Sequence, residues 1–482
     1  MTGPLDDSMT RKTGRRADYA LRCTVRSESF EAADVPCRIY LPDGKPGVPI
    51  VHLVPDERQY ELLTRAYELS LVGTLDRLSF ESQVLYLTQG TWRGQDPHGV
   101  DAFLVACEPR DFRITERYSD NATVGRAHVV FWLTPNPWLP PGKIRMSNLD
   151  GSVEITHGEL PQAFLPGGAT ATFDTHYDSR TEGDDFIQRP YLVAEIDVDI
   201  PAAETARLAR EVLPDLDDLL LIVSLASRTR TNCVGWTAAD SVSITRYFRA
   251  DRIVPTRSPT DSWDGLVPLR YRSEFLREAH ARFLAHPDRD AIRRAIYASV
   301  PFHESVFTEA FLSRFAGIEC LLLDFRRQSN FGKVMPLGRW KTFRRAVIDL
   351  LRQVEAVSED QVRWVEEKLP ELNRVPLKAV LERFCVHYKL DLSAFWPVFG
   401  LDGEVGLAKI RHRLVHGEGI LEALSPHAII AAEHLRWVLE LMLIAVLAWP
   451  LEKAAVHPDR LTNETAMTEW RAAKAALERI KR

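Results

Sequence analysis

At 482 residues the chain exceeds what one hydrophobic core ordinarily organises, so two or three domains are expected. Its 45% hydrophobic and 27% charged residues are those of a globular protein, and a net charge of -6, from 61 basic and 67 acidic residues, excludes a protein that coats nucleic acid over its whole surface while leaving room for a local basic site. Six scattered cysteines with no Cys-x-x-Cys pair give neither a zinc ribbon nor a disulfide framework, which points to a reducing cytoplasm.

Residues 1–20 carry Arg11, Lys12, Arg15 and Arg16 with little to pack, and read as a mobile basic tail without a secretory signal. From 21 to 200 the texture is that of strands. Branched and aromatic runs at 37–40, 49–54, 67–72, 83–88, 127–133, 152–156 and 192–198 are punctuated by turns such as Pro42-Asp43-Gly44, Asp150-Gly151 and Gly167-Gly168. Many short strands with Gly and Pro turns predict a sandwich or barrel rather than alternating strand and helix units. This half has no phosphate-binding glycine loop, dinucleotide fingerprint or Gly-x-Ser-x-Gly elbow, so it reads as a sensing or regulatory module. Its histidines, His52, His98, His128, His157 and His176, are isolated.

Over 201–230 the period changes: Leu208, Val212, Leu216, Leu219 and Leu220 recur at three or four residues and predict an amphipathic helix. Residues 233–269 return to Trp236, Ile244, Tyr247, Phe248 and Trp263, which either complete the sheet or bridge the halves; 201–300 is assigned to the N-terminal half.

Helical signals dominate beyond 270. Phe307, Phe311, Phe315, Ile318, Leu322 and Phe325 form an apolar stripe too wide to leave in water. Arg326, Arg327, Lys333, Arg339, Lys341, Arg344 and Arg345 follow, with Asp324 the single acid over 324–345. Such a run is either a solvated helix connection or a face that contacts phosphates. Val380, Leu381, Phe384 and Tyr388 mark another helix in 358–390, interrupted near Pro370 and Pro376. A helix is predicted over 404–416, with Val405, Ala408, Ile410, Leu414 and Val415 available to pack. Ser425-Pro426 then starts a long apolar helix that Pro450 should stop. Its greasiest run, 438–449, contains Glu440 and is too short to span a bilayer, so no membrane partner is expected. Residues 451–482 close the chain as a helix or tail.

The chemistry concentrates in Ile410-Arg411-His412-Arg413-Leu414-Val415-His416-Gly417. Cutting RNA without a metal needs a base for the ribose 2′-OH and a cation for charge building on phosphorus. An imidazole, which ordinarily titrates at about 6.5, can serve as acid or base, and a guanidinium offers a permanently charged fork. Arg411 and His416 supply one of each. Five residues turn an ideal helix by about 140°, so the two do not share a face, and a two-fold dimer pooling both copies is one way to complete the site. His412 and His416, four apart, could instead hold a metal, but Arg413 stands where the metalloprotease pattern needs Glu and its charge repels a cation. The bland alternative is that Arg411 and His416 only cap and pair within a bundle.

Arg411, four intervening residues, His416 and Gly417 resemble the Arg-x(4 to 6)-His signature of HEPN-domain ribonucleases, and the setting over 301–450, with the Phe315 to Leu322 helix upstream and a long closing helix, is similar as well. Joined to a strand-rich N-terminal half, the arrangement resembles the ApeA-like anti-phage branch. The resemblance implies a multidomain α+β chain with an N-terminal β-rich sandwich or barrel-like domain and a C-terminal all-α HEPN-like helical bundle. It further implies a cytoplasmic homodimeric endoribonuclease of the abortive-infection type that needs no cofactor and no metal. RNA, tRNA among the candidates, would be the substrate, a phage-derived signal the trigger, and a 2′,3′-cyclic phosphate the product. Arg411, His416 and His412 would be catalytic, with Arg413 and Glu319 supporting and the seven cations of 326–345 binding RNA. His412 departs from the small polar residue common there. The alternative is a non-catalytic HEPN module that binds partners or senses within a multi-protein defence system.

Overall fold

The structure is a computed structural model that describes residues 17–42, 47–95, 101–119, 125–139, 143–147, 153–157, 160–182, 185–249, 265–300, 306–401, 404–417 and 425–479. Two compact units divide the chain: 1–265 with 272–277, and 266–271 with 278–482.

The first unit is β-rich. Strands β1 (Tyr19–Arg26), β2 (Glu31–Tyr40), β3 (Ile50–Leu53), β4 (Glu68–Leu75), β5 (Leu78–Gln95) and β6 (Asp101–Pro109) pair antiparallel in the order β4-β1-β2-β3-β6-β5, and β5 closes back on β4 to make a six-stranded barrel. Period-two alternation fills it: Leu21, Cys23 and Val25 of β1 point inward with Val35, Cys37 and Ile39 of β2. Asp34, at a positive φ of 60°, shifts the register, so that Ala32 and Val35 both reach the core although they are an odd number of residues apart. The predicted basic tail covers less than expected. Residues 1–16 lie outside those described, and Tyr19 already stacks edge-on to Phe80 at 5.0 Å.

Strand β5 belongs to two structures at once. Its later part closes the barrel on β6, while 78–81 pair with β7 (Asp111–Arg117) and open a sheet that runs on through β15, β14, β8, β13, β12 and β11. In chain order these are β8 (Ala127–Leu133), β9 (Lys143–Ser147), β10 (Val153–His157), β11 (Gln162–Phe164), β12 (Thr170–Glu182), β13 (Asp185–Val198), β14 (Cys233–Ala239) and β15 (Ser243–Arg249), with β9 and β10 forming a separate hairpin. The stretch after 233 therefore completes the sheet, although Trp263 lies outside the described residues. Helix α1 (Glu57–Arg65), unexpected within the strand texture, is set by an Asp56–Gln59 capping box.

The helix expected over 201–230 is two, α2 (Thr205–Glu211) and α3 (Leu213–Ser227), and α3 is buried on nearly every side rather than amphipathic. Its Ser224 and Ser227 remain satisfied in the core by donating to the carbonyls of Leu220 and Val223 at 2.7 and 2.9 Å. All six cysteines are free thiols, and burial pushes Cys107 and Cys233 up to about 12, so these two act as packing residues rather than nucleophiles.

Helices α4 (Arg272–Ala285), α5 (Arg289–Ser299), α6 (Phe307–Gln328), α7 (Leu337–Arg352), α8 (Glu359–Leu372), α9 (Leu377–Tyr388), α10 (Leu407–Val415), α11 (Ser425–Val446) and α12 (Thr465–Arg479) follow. Helix α6 is the axis of the helical unit and packs on α5, α9, α10 and α11. Because α5 buries Ile292, Ala295 and Ile296, residues 278–300 group with the helices, ahead of the expected boundary at 301. Helix α11 ends before Pro450: Ala448 turns left-handed (φ 54°) and the Trp449 amide reaches back to the Ile444 carbonyl. The closing segment is the ordered helix α12, which buries Trp470, Ala473 and Leu477. Among the described residues no helix is long and apolar enough to cross a membrane.

Candidate functional site

The predicted motif helix is shorter than 404–416 and rigidly based. Helix α10 has no side-chain cap; instead its Leu407 and Ala408 amides donate to the carbonyls of Pro397 and Val398 at 2.9 and 2.8 Å, which satisfies the first orphan donors through the preceding loop. That loop is wound so tightly that a Cβ on Gly406 would sit 2.3 Å from the Gly400 nitrogen, so any other residue would force the loop to open.

Side chains distant in sequence hold the loop. The Trp396 indole donates to the Val405 carbonyl at 2.8 Å, and the Val405 amide donates to Glu478 Oε1 of α12 at 2.9 Å. The Trp396 amide donates to His434 Nδ1 at 3.1 Å, and His434 Nε2 in turn lies 2.9 Å from the Ala466 carbonyl. These partners fix the tautomer, with Nδ1 accepting and Nε2 donating. Burial among Phe395, Trp396, Trp437 and Trp470 lowers His434 to about 4, so it stays neutral. None of this network was legible in the sequence, because its members are 9 to 73 residues apart.

From that base α10 buries Leu407 and Ile410 against the unit and sends its other end outward. Arg411, part-exposed, places Nη2 at 3.8 Å from Glu319 Oε2 of α6, with its guanidinium over the Phe315 ring at 5.9 Å. Glu319 thus stands beside Arg411. His412 and His416 are both exposed and face each other with ring centroids 4.2 Å apart. The helix ends at Val415, and Gly417 takes the left-handed φ of 73° that lets the chain turn away. Val415, expected to pack, is exposed.

The direct contacts therefore run Arg411 to Glu319 and His412 to His416. Among the described residues no hydrogen bond or ion pair joins Arg411 to His416, in keeping with their 140° separation on an ideal helix. Arg413 is half-buried beside them. Among the described residues no third His, Cys, Asp or Glu joins the histidine pair in a metal-holding group.

The seven cations are dispersed. Arg327 is neutralised by Asp288 and Asp324 at 2.6 and 3.6 Å, and Arg344 by Glu366 at 2.8 Å. Arg326 lies in the last turn of α6 and Lys333 sits in the following link, while Arg339, Lys341 and Arg345 are exposed on α7. Helix α7 packs on α8, whereas α10 packs on α6, so Arg339, Lys341, Arg344 and Arg345 ride on a different helix pair from the motif, and Arg326 and Arg327 share α6 with it. Asp324, the lone acid of that stretch, is buried; it accepts from Gln328 at 2.6 Å and lies 3.7 Å from His286, tying the α4–α5 turn to α6.

No protein-family model, no curated protein and no solved structure matches the chain.

Proposed function

We propose that the chain is a metal-independent endoribonuclease whose reacting groups are Arg411, His412 and His416. The observation that carries this is the open tip of α10, where two exposed imidazoles lie 4.2 Å apart, next in sequence to an arginine oriented by Glu319 and Phe315. One imidazole takes the ribose 2′-OH proton as the 2′-oxygen attacks phosphorus. Arg411 binds the non-bridging oxygens as their charge grows. A protonated imidazole then gives its proton to the departing 5′-oxygen, leaving a 2′,3′-cyclic phosphate and a 5′-hydroxyl. The ion pair with Glu319 holds the guanidinium in place without burying it, so phosphate can compete for it. The divergent directions of Arg411 and His416 favour a site completed by a second copy. In this reading the β-rich unit restrains the nuclease until a phage signal arrives, and the compartment is cytoplasmic.

The test is RNA cleavage by the purified full-length protein in excess EDTA. Cutting is expected to persist, to spare substrates with deoxyribose at the scissile position, and to fall by about 100-fold or more in His416→Ala and Arg411→Ala proteins that melt as the wild type does. Loss of cutting on chelation, or a folded His416→Ala protein that cuts normally, overturns the assignment.

A further inference from the structure

The hairpin of α7 and α8 stands on a core of its own. Trp340 and Ile348 of α7 meet Val362 and Leu369 of α8, with Met335, Val347, Leu351 and Val357 around them, and the two helices pack chiefly on each other. The base is stapled where the Met335 amide donates to Asn373 Oδ1 at 2.7 Å and Asn373 Nδ2 donates back to the Met335 carbonyl at 3.2 Å. Arg344 opposite Glu366 at 2.8 Å sets the antiparallel register. Four buried side chains are few for helices of 16 and 14 residues, and a third helix laid along the pair would enlarge that core.

Both helices leave room for it on the same side. On α7, Phe343, Ala346 and Leu350 recur at three and four residues, and Leu350 is 62% exposed. On α8, Val365 and Leu372 are exposed seven residues apart, Leu372 at 65%. These side chains are turned by about 50° to about 140° from the buried row of their own helix, in the same rotational sense along each chain. In an antiparallel pair, offsets of one sense fall on one side of the hairpin, so the two sets border a single apolar trough. Trp364, turned further round, stands at its outer margin on α8.

The charges on that side are of one sign. Arg339 and Lys368, both exposed, are turned from the buried rows by about 110° to about 120° in the same sense and so flank the trough near its stapled base. By the same helical repeat Asp349, Glu359, Asp360, Glu366, Glu367 and Glu371 fall between the helices, on the other side or at the back. We infer that the trough docks an amphipathic helix of another protein, one whose apolar row is flanked by carboxylates, and that the three helices then form a small bundle. A trough between two antiparallel helices accepts a helix through anchors at three-four spacing, and its two cations select acidic flanks. A second copy of this chain offers its own face no such match, since that face carries Arg339 and Lys368 and no acid. At about 24 Å long the trough takes about four turns of helix, which gives a micromolar Kd rather than an obligate complex.

This inference goes beyond the ribonuclease reading and does not rest on it, because its readout is binding of a peptide. The probe is a synthetic helical peptide of about 16 residues with leucine at three-four spacing and glutamate beside it, titrated by fluorescence anisotropy into the full-length chain; a second peptide carries lysine for every glutamate. The glutamate peptide should bind with a Kd of about 10 to about 100 µM and the lysine peptide at least about tenfold more weakly. Leu350→Glu and Val365→Glu, both at exposed positions, should each raise the Kd for the glutamate peptide at least about tenfold with the circular dichroism melt unchanged. A chain carrying both Arg339→Glu and Lys368→Glu should reverse the preference and take the lysine peptide. Failure of the glutamate peptide to bind at about 1 mM, equal binding of the two peptides, or a double variant that keeps the wild-type preference overturns it. So does wild-type binding to phosphatidylglycerol vesicles or to a short single-stranded RNA that Leu350→Glu abolishes, since the trough would then serve a membrane or a nucleic acid.

Discussion

Helix α10 has a closed end and an open one, and both are marked by histidine. At the closed end His434 has each ring nitrogen committed, one to the Trp396 amide and one to the Ala466 carbonyl, and four aromatic residues shut out water. At the open end His412 and His416 share a ring contact and are otherwise given to solvent. The same side chain is a strut in one place and a solvent-exposed group in the other. What separates them is desolvation and hydrogen-bond commitment, not proximity to the motif.

The contrast can be broken most forcefully at the strut. His434→Ala leaves the Trp396 amide and Ala466 carbonyl unpaired around a cavity, and should cost about 4 kcal/mol in urea unfolding followed by tryptophan fluorescence. A loss no greater than that of a surface substitution would show the network to be dispensable.

Acid should act through the same residue. His434 is lowered to about 4 in the folded chain and takes an ordinary value near 6.5 when unfolded, so between those values the unfolded state binds the extra proton. Its neutral, well-paired form is fully retained above about 6.5, and about 3 kcal/mol is lost as the pH falls through that window. Unfolding free energies of the wild type at steps between those pH values should reveal this slope, and His434→Ala should flatten it.

A smaller effect is expected from Gly406→Ala. Its new methyl group meets the Gly400 nitrogen at 2.3 Å, and opening the loop should cost about 2 kcal/mol, read as a shifted denaturation midpoint. Smallest of all, His412→Ala and His416→Ala should change stability by less than about 0.5 kcal/mol, since both side chains are exposed. Large destabilisation by either would make the open end structural too.

Much of this was legible from local pattern. Branched and aromatic runs between turn residues marked β2, β3, β4, β5, β8, β10 and β13, and the phenylalanine stripe marked α6. Gly417 announced the helix end that follows Arg411 and His416. Local pattern failed where burial overrode it. Helix α3 looked one-sided but is enclosed, and α1 arose from a capping box inside a strand-like stretch. The basic run read as one surface, yet Arg327 and Arg344 are spent on Asp288, Asp324 and Glu366.

By itself the sequence determined the division into a strand-rich part and a helical part, because residue periodicity fixes which faces must be buried. It also determined which groups capable of acid, base and phosphate chemistry sit at the end of α10. Only the tertiary structure decided that the sheet begins as a closed six-stranded barrel, that Glu319 stands beside Arg411, and that His434, Trp396 and Glu478 anchor the helix. Strand closure and long-range hydrogen bonds depend on which distant segments meet, and no single stretch of chain encodes that meeting.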